Sequence, residues 1–468
     1  MSRTYDYDLL CIGSGPAGQR AAVQAAKLGK RTVVVEKRRV VGGVCLDTGT
    51  IPSKTFREAV LFFASLGGPF DRRRVSLRAE SRPSVEHLLS RVTEVVAGEA
   101  EVVENQLRRN DVALLRGQAS FADPHTVRVT REDGAADTVT AANILIAVGT
   151  VAAPPPGVPA DGEIVITSDG LLTLKRLPRT MVVVGGGVIG IEYASIFAAI
   201  GVDVTLIERR DCLLESLDRE IVDELIHQMR NRNVVLRPGE MVESIELDEG
   251  SPRRAVILLE SGKRIVSELV LFAAGRQGAT DRLRLEAAGL AADERGRIEV
   301  DGQFRTSVPH ILAAGDVIGY PSLAATSSEQ GRLAARYALG VEARPMPAHF
   351  PIGIYAIPEI SMVGSTEKDL TRDKVPYEVG VARYREIARG QILRDDSGLL
   401  KLLFHRQDRR LLGVHVIGTG ATELVHIGQA VLGLGAGLDY FLETVFNYPT
   451  LAECYKVAAL DAANKLAL

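Results

Sequence analysis

Residues 5–38, YDYDLLCIGSGPAGQRAAVQAAKLGKRTVVVEKR, and residues 179–210, RTMVVVGGGVIGIEYASIFAAIGVDVTLIERR, carry one pattern twice. An apolar run meets a glycine turn, a helix follows, and a second β-branched run ends on an acid. In each copy the first glycine (Gly13, Gly185) permits the tight turn. The second (Gly15, Gly187) lets a pyrophosphate approach the backbone, and the third (Gly18, Gly190) lets the helix pack close on the strand. The helix N-terminus then offers free N–H groups and a positive dipole end to phosphate. Glu36 and Glu208 close the second strands, where a carboxylate accepts hydrogen bonds from ribose hydroxyls. The chain therefore has two dinucleotide-binding folds. Electron transfer is the reason to hold two dinucleotides together, but glycines alone do not say which sits where.

At 468 residues the chain exceeds one ordinary core, so two to four domains are expected. Residues 152–162, AAPPPGVPADG, make a proline-rich crossing before the second fold, which ends near LVLFAAGRQG at 269–278. Another strand, turn and helix follow in HILAAGDVIGYPSLAATSSEQGRLAARYALG. A last segment lacks a nucleotide motif: GLLKLLFHRQDRRLLGVHVIG reads as a strand hairpin, and TELVHIGQAVLGLG and LAECYKVAALDAANKLAL as amphipathic helices.

Hydrophobic residues make up 46% and charged residues 25%, the balance of a soluble globular protein. A net charge of −3 and the lack of a long basic block argue against nucleic acid; Arg72-Arg73-Arg74 reads as a solvated face. Cys11, Cys45, Cys212 and Cys454 form no C-x-x-C and no metal-ligand spacing, so no metal is expected and a reducing compartment fits. No basic segment precedes the first apolar run, and no uncharged stretch reaches membrane-spanning length. The expectation is a cytoplasmic protein that does not engage a membrane.

GSGPAG with Glu36, GGVC…IPSK within residues 42–54, GGGVIGIE, AAGRQG, AAGDV and the closing NYPTLAE occur in one order over essentially the whole chain. Together they resemble the FAD-dependent pyridine nucleotide–disulfide oxidoreductases, the group containing dihydrolipoamide dehydrogenase and glutathione reductase. The resemblance implies an α/β chain of two Rossmann-like domains, for FAD and NAD(P), plus a C-terminal α+β dimerisation domain. The implied division is 1–155 and 279–345 for FAD, 156–278 for NAD(P) and 346–468 for the interface domain. It further implies non-covalent FAD near Gly13, Gly15, Gly18, Glu36, Cys45, Lys54, Gly117, Gly149, Asp316 and Ala325, with Ala325 and Thr326 under the flavin ring and Gly117 near the adenine. NAD(P) would lie near Gly185, Gly187, Gly190, Glu208 and Gly275. Lys54 and Glu192 would pair beside the flavin N5, where a positive charge stabilises the arriving electrons. The family is a homodimer in which each closing segment completes the partner's site.

Disulfide-reducing members of that family need two thiols and a histidine base. Here Thr50 stands five residues after Cys45, where the second thiol belongs, and Tyr448 stands where the histidine precedes Pro-Thr. Glu453 remains, but Thr450-Leu-Ala-Glu453 also reads as a capping box. With thiol and base both gone, electrons must leave the flavin directly. The soluble, flavin-containing NAD(P)+ transhydrogenase branch has this pair of losses, and GTIPSKTFREAV and VFNYPTLAECYKVAALDAANKL resemble it. The implied reaction moves hydride from NADPH to NAD+ by a ping-pong route, with Lys54, Glu192 and Tyr448 as candidate catalytic residues. The alternative is an NAD(P)H:quinone or dye reductase. Such a site takes both nucleotides. Glu208 suits the free 2′-OH of NAD, while Arg209 and Arg210 suit the 2′-phosphate of NADP.

Overall fold

The computed structural model describes residues 5–66, 83–153, 160–248, 250 and 253–466. The Arg72-Arg73-Arg74 run and most of the proline-rich crossing lie outside them. In the first fold the parallel strands run in the order Ala113–Arg116, Thr32–Glu36, Tyr7–Ile12, Ala136–Ile146 and Ile311–Ala313. All five residues of Thr32–Glu36 are buried. The strand's centre, Val33-Val34-Val35, is apolar without alternation because both faces of a parallel sheet are covered. An antiparallel pair, Gln118–Asp123 and Thr126–Thr130, extends the sheet from Ala136–Ile146.

The second fold repeats this plan. Its order is Val235–Pro238, Asp203–Glu208, Thr180–Val184, Leu269–Phe272 and Val165–Thr167, again all parallel. A three-stranded antiparallel ribbon, Val242–Asp248, Arg254–Leu259 and Arg264–Ser267, accompanies it. The strands Thr150–Ala152 and Arg276–Gly278 pair antiparallel and form the two-stranded bridge between the folds. The helix Val188–Ala199 is buried continuously from Gly190 to Ala199. It is an all-round apolar core helix, and this makes the carboxylate of Glu192 within it conspicuous.

The last segment forms an antiparallel sheet in the order Ile352–Ile354, Ile360–Gly364, Leu411–Ile417, Leu399–His405 and Tyr377–Arg383. The helices Ala421–Gly433 and Glu453–Leu466 pack on it. The expected capping box is not formed. The Thr450 hydroxyl donates to the Asn447 carbonyl (2.7 Å), and the Glu453 N–H meets the Thr450 carbonyl (3.3 Å) instead of that hydroxyl. The tight turn after Asn447 has taken the side chain that would cap the helix.

One buried cation fastens the interface domain to the second fold. Lys401, 1% exposed, places its Nζ 3.0 Å from Asp218, 3.2 Å from Glu220 and 2.8 Å from Glu367. Asp218 also caps the helix Arg219–Asn231. Burial pulls the Lys401 ammonium down, but the hydrogen bonds and charges of Glu367 and Asp218 outweigh it and hold the group above its ordinary value. Its contribution is therefore intact at neutral pH and is lost only as pH climbs through that raised value. Lys401→Met leaves Asp218 buried and uncompensated, and is expected to destabilise the protein by about 3–5 kcal/mol. Thermal or urea unfolding of the holoprotein checks this.

Candidate active site

A cavity of about 750 Å³ opens along the first fold and runs to the second fold and the interface domain, a volume suited to a cofactor-sized ligand. Gly13, Gly15, Glu36, Gly117, Gly149 and Asp316 line it. Gly13 has φ +105°, and a Cβ on Gly15 would meet nothing within 4 Å. A Cβ on Gly18 would collide with the Gly13 carbonyl, so this glycine serves helix packing and does not line the cavity. The open face beside Gly15 fits a pyrophosphate against the backbone. Glu36 is 4% exposed. Its Oε2 accepts from the Ser14 N–H (3.0 Å) and hydroxyl (2.6 Å), and its Oε1 accepts from the Arg38 N–H (2.8 Å).

At the other end Lys54, on the helix Thr50–Leu66, donates to Glu192 Oε2 at 2.7 Å and to the Ser53 hydroxyl at 3.2 Å. The Lys54 side chain is 25% exposed and that of Glu192 5%. The other oxygen of Glu192 accepts from the Tyr355 N–H at 2.8 Å, and the Tyr355 ring centroid lies 5.0 Å from the Lys54 ammonium. Three segments, one from each domain, thus meet on one ion pair. Tyr355 is a site residue that sequence reasoning missed. Burial raises its phenol, opposed by a hydrogen bond to the Thr422 hydroxyl.

Cys45 and Thr50 both line this cavity. Burial raises the Cys45 thiol, and neither the Thr50 hydroxyl nor the Lys54 charge, which both act to lower it, cancels the effect. The sulfur is therefore held as a neutral thiol, the unreactive form. Burial also raises Asp316, against Arg276 and the Ser327 and Thr150 hydroxyls. Arg276 is a second missed residue. From the bridge between the folds its Nε donates to the Thr150 hydroxyl (2.8 Å) and its Nη1 to Asp169 (3.1 Å). Ala325 lines the cavity; Thr326 is buried behind it and donates to the Leu323 carbonyl.

Gly185, Gly187 and Gly190 form the corresponding turn on the second fold and do not line this cavity. Gly185 has φ +112°, a Cβ on Gly187 would meet open space, and one on Gly190 would strike the Gly185 carbonyl. The helix that starts there carries Val188, Ile189 and Glu192, all in its first turns, into the cavity. Gly275 lies on the bridge segment with φ +148°, next to Arg276. Glu208 accepts from the Gly186 N–H (2.6 Å) and from the Arg210 N–H and Nε (3.0 Å each). Burial opposes ionisation of Glu208, yet Arg210 and the backbone donors hold it below the usual carboxylate value. Arg209 is exposed.

Tyr448 is 66% exposed and does not line its own chain's cavity. Glu453 Oε2 is buried without a hydrogen-bond partner among the described residues.

The sequence model described as pyridine nucleotide-disulphide oxidoreductase matches residues 7–331, and the dimerisation-domain model of that family matches 350–459. A soluble pyridine nucleotide transhydrogenase of Mycobacterium bovis is 53% identical over 98% of both chains. One from Colwellia psychrerythraea is 41% identical over 100% of both. Among solved structures, an HOCl-induced flavoprotein disulfide reductase from Escherichia coli has a TM-score of 0.86 at 28% identity, covering 97% of this chain and 99% of that one. With both models matched across nearly its whole length, the chain belongs to the pyridine nucleotide-disulphide oxidoreductases.

Proposed function

We propose that this protein is a soluble transhydrogenase that moves hydride from NADPH to NAD+ through FAD, with no thiol relay. The observation that carries the reading is the pairing at the cavity floor: Lys54–Glu192 is retained, while Cys45 faces a hydroxyl in place of a second sulfur. The full-length relatives bearing the transhydrogenase name point the same way. FAD, when bound, would supply the two-electron acceptor and donor for hydride.

The chain's residues bind, orient and shield. Gly13, Gly15 and Glu36 present the turn, the open backbone face and the ribose acceptor, with Gly117 and Gly149 on the same cavity wall. Asp316 offers a hydrogen-bonding carboxyl to the cofactor's middle. Lys54 supplies the positive charge at the reacting end; Glu192 holds that charge, and Tyr355 holds Glu192. Gly185, Gly187, Gly190, Gly275, Glu208, Arg209 and Arg210 receive NADPH and NAD+ in turn. Tyr448 has no proton to move in this scheme, and its place is at the neighbouring subunit's cavity. The dimerisation domain supports a homodimer. Four free cysteines suit a reducing, cytoplasmic setting, and the net charge of −3 suits a protein that leaves nucleic acid alone. Among the described residues no helix is long and apolar enough to cross a membrane.

Anaerobic initial rates with NADPH and NAD+ are expected to give parallel double-reciprocal lines; intersecting lines, or a faster rate with a quinone than with NAD+, remove the reading. Lys54→Met is expected to lower kcat by about 100-fold, by loss of one preorganised charge. It should also move the midpoint potential of the bound flavin to more negative values. The double variant Lys54→Met/Glu192→Gln should regain thermal stability without regaining rate. Cys45→Ser should keep most of the activity. Alkylation of Cys45 in the holoprotein should still be accelerating above about pH 8.5, the value for a free thiol, because burial raises its pKa. A rate already at plateau at pH 7 contradicts a neutral thiol.

A further inference from the structure

The acid that ends the second strand is followed two residues later by arginine in both folds, and the two arginines differ in what they do. In the first fold the Arg38 guanidinium pairs with Asp47. Glu36 is left with three protein donors, the Ser14 N–H, the Ser14 hydroxyl and the Arg38 N–H. In the second fold the Arg210 guanidinium turns back onto the acid. Glu208 receives the Gly186 N–H at 2.6 Å, the Arg210 N–H and Nε at 3.0 Å, and Nη2 at 3.4 Å. An ionised carboxylate has about four lone-pair sites. The protein's own donors therefore fill Glu208, while Glu36 keeps room for a ribose hydroxyl.

We propose that Arg210 is a displaceable counter-ion that sets nucleotide choice at the second fold. This inference rests on the reading that both NAD(H) and NADP(H) bind there. With the guanidinium on Glu208, the carboxylate's charge is cancelled, and Nη1, which has no hydrogen-bond partner among the described residues, is available to a 2′-phosphate, with the neighbouring Arg209 also exposed. With the guanidinium displaced, Glu208 regains acceptors for the 2′- and 3′-hydroxyls of NAD(H). The Arg210 side chain is 47% exposed, so it has room to leave, whereas Glu208 is 8% exposed and stays anchored by Gly186. NAD(H) must break the Glu208–Arg210 pair to bind; NADP(H) does not.

The consequence is an opposed response to one substitution. In Arg210→Met the KM for NADH should fall about fivefold, since no ion pair has to be broken. The KM for NADPH should rise about tenfold or more, since charge-assisted bonds to phosphate are lost. Glu208→Gln should invert both signs. Arg210→Lys, which keeps the charge without the forked donors, should fall between wild type and Arg210→Met for both nucleotides. Competitive inhibition by AMP and by adenosine 2′,5′-bisphosphate should follow the NADH and NADPH constants respectively. Flavin content and thermal unfolding of each variant establish that it has folded. If Arg210→Met and Arg210→Lys weaken both nucleotides, or leave NADH unaffected, Arg210 is not a displaceable counter-ion even though both nucleotides bind. If the wild type oxidises only one of NADH and NADPH, the dual-substrate reading itself fails.

Discussion

The Lys54–Glu192 pair is the constraint around which the three domains are arranged. A carboxylate inside an otherwise apolar helix is costly to desolvate, and removing its partner alone would leave that cost uncompensated. Glu192 is tolerated because its two oxygens are each taken, one by the ammonium and one by the Tyr355 N–H. The donors come from the helix Thr50–Leu66 in the first fold and from the segment after Ile352–Ile354 in the interface domain. The acid comes from the second fold. Relative movement of any of the three segments would strand a buried charge, so the pair holds them together at the cavity. The Lys401 cluster repeats this logic at the rear, where a buried lysine ties the interface domain to Asp218 of the second fold.

Neutrality of Cys45 and persistence of Lys54 are connected. A thiolate beside the flavin needs either a base or a dominant nearby cation. Lys54 is near enough to lower the Cys45 thiol, but its charge is already committed to Glu192, and burial wins. The residues that handle hydride are thus separable from those that handle sulfur. Removing Thr50's sulfur counterpart and the histidine leaves the hydride machinery standing, whereas removing Lys54 or Glu192 would not.

Much of this was legible in the sequence because it follows from local rules. The two glycine turns, the terminal acids Glu36 and Glu208, the hairpin Leu399–His405 with Leu411–Ile417, and the helix Ala421–Gly433 all come from short-range pattern. Tyr355 and Arg276 were not legible. Each acts on a residue more than 100 positions away, and a backbone N–H donor such as that of Tyr355 leaves no mark on residue identity. Arg276 stood in plain view within AAGRQG, but only the bridge strands reveal that it faces Thr150 and Asp169. The capping box at Thr450 failed for the converse reason: a local signal was overridden by a neighbouring turn that needed the same hydroxyl.

The duplicated folds also show one template holding its terminal acid in two ways. In the first fold Ser14 is fully buried, bonds Glu36 twice, and accepts the Gly42 N–H at 2.9 Å, so the acid is locked to the loop that begins the cysteine segment. Arg38, held by Asp47, closes the same side. In the second fold Gly186 stands in the place of Ser14 and supplies a backbone N–H with no hydroxyl, so the acid has no such tie. Its remaining donors come from Arg210, partly exposed and carried on the adjacent loop. The first arrangement fixes its acid through buried bonds and leaves it an open acceptor; in the second, a partly exposed guanidinium occupies the acceptors of the acid. The settings of the two acids therefore differ by a serine, an aspartate and the direction taken by one arginine.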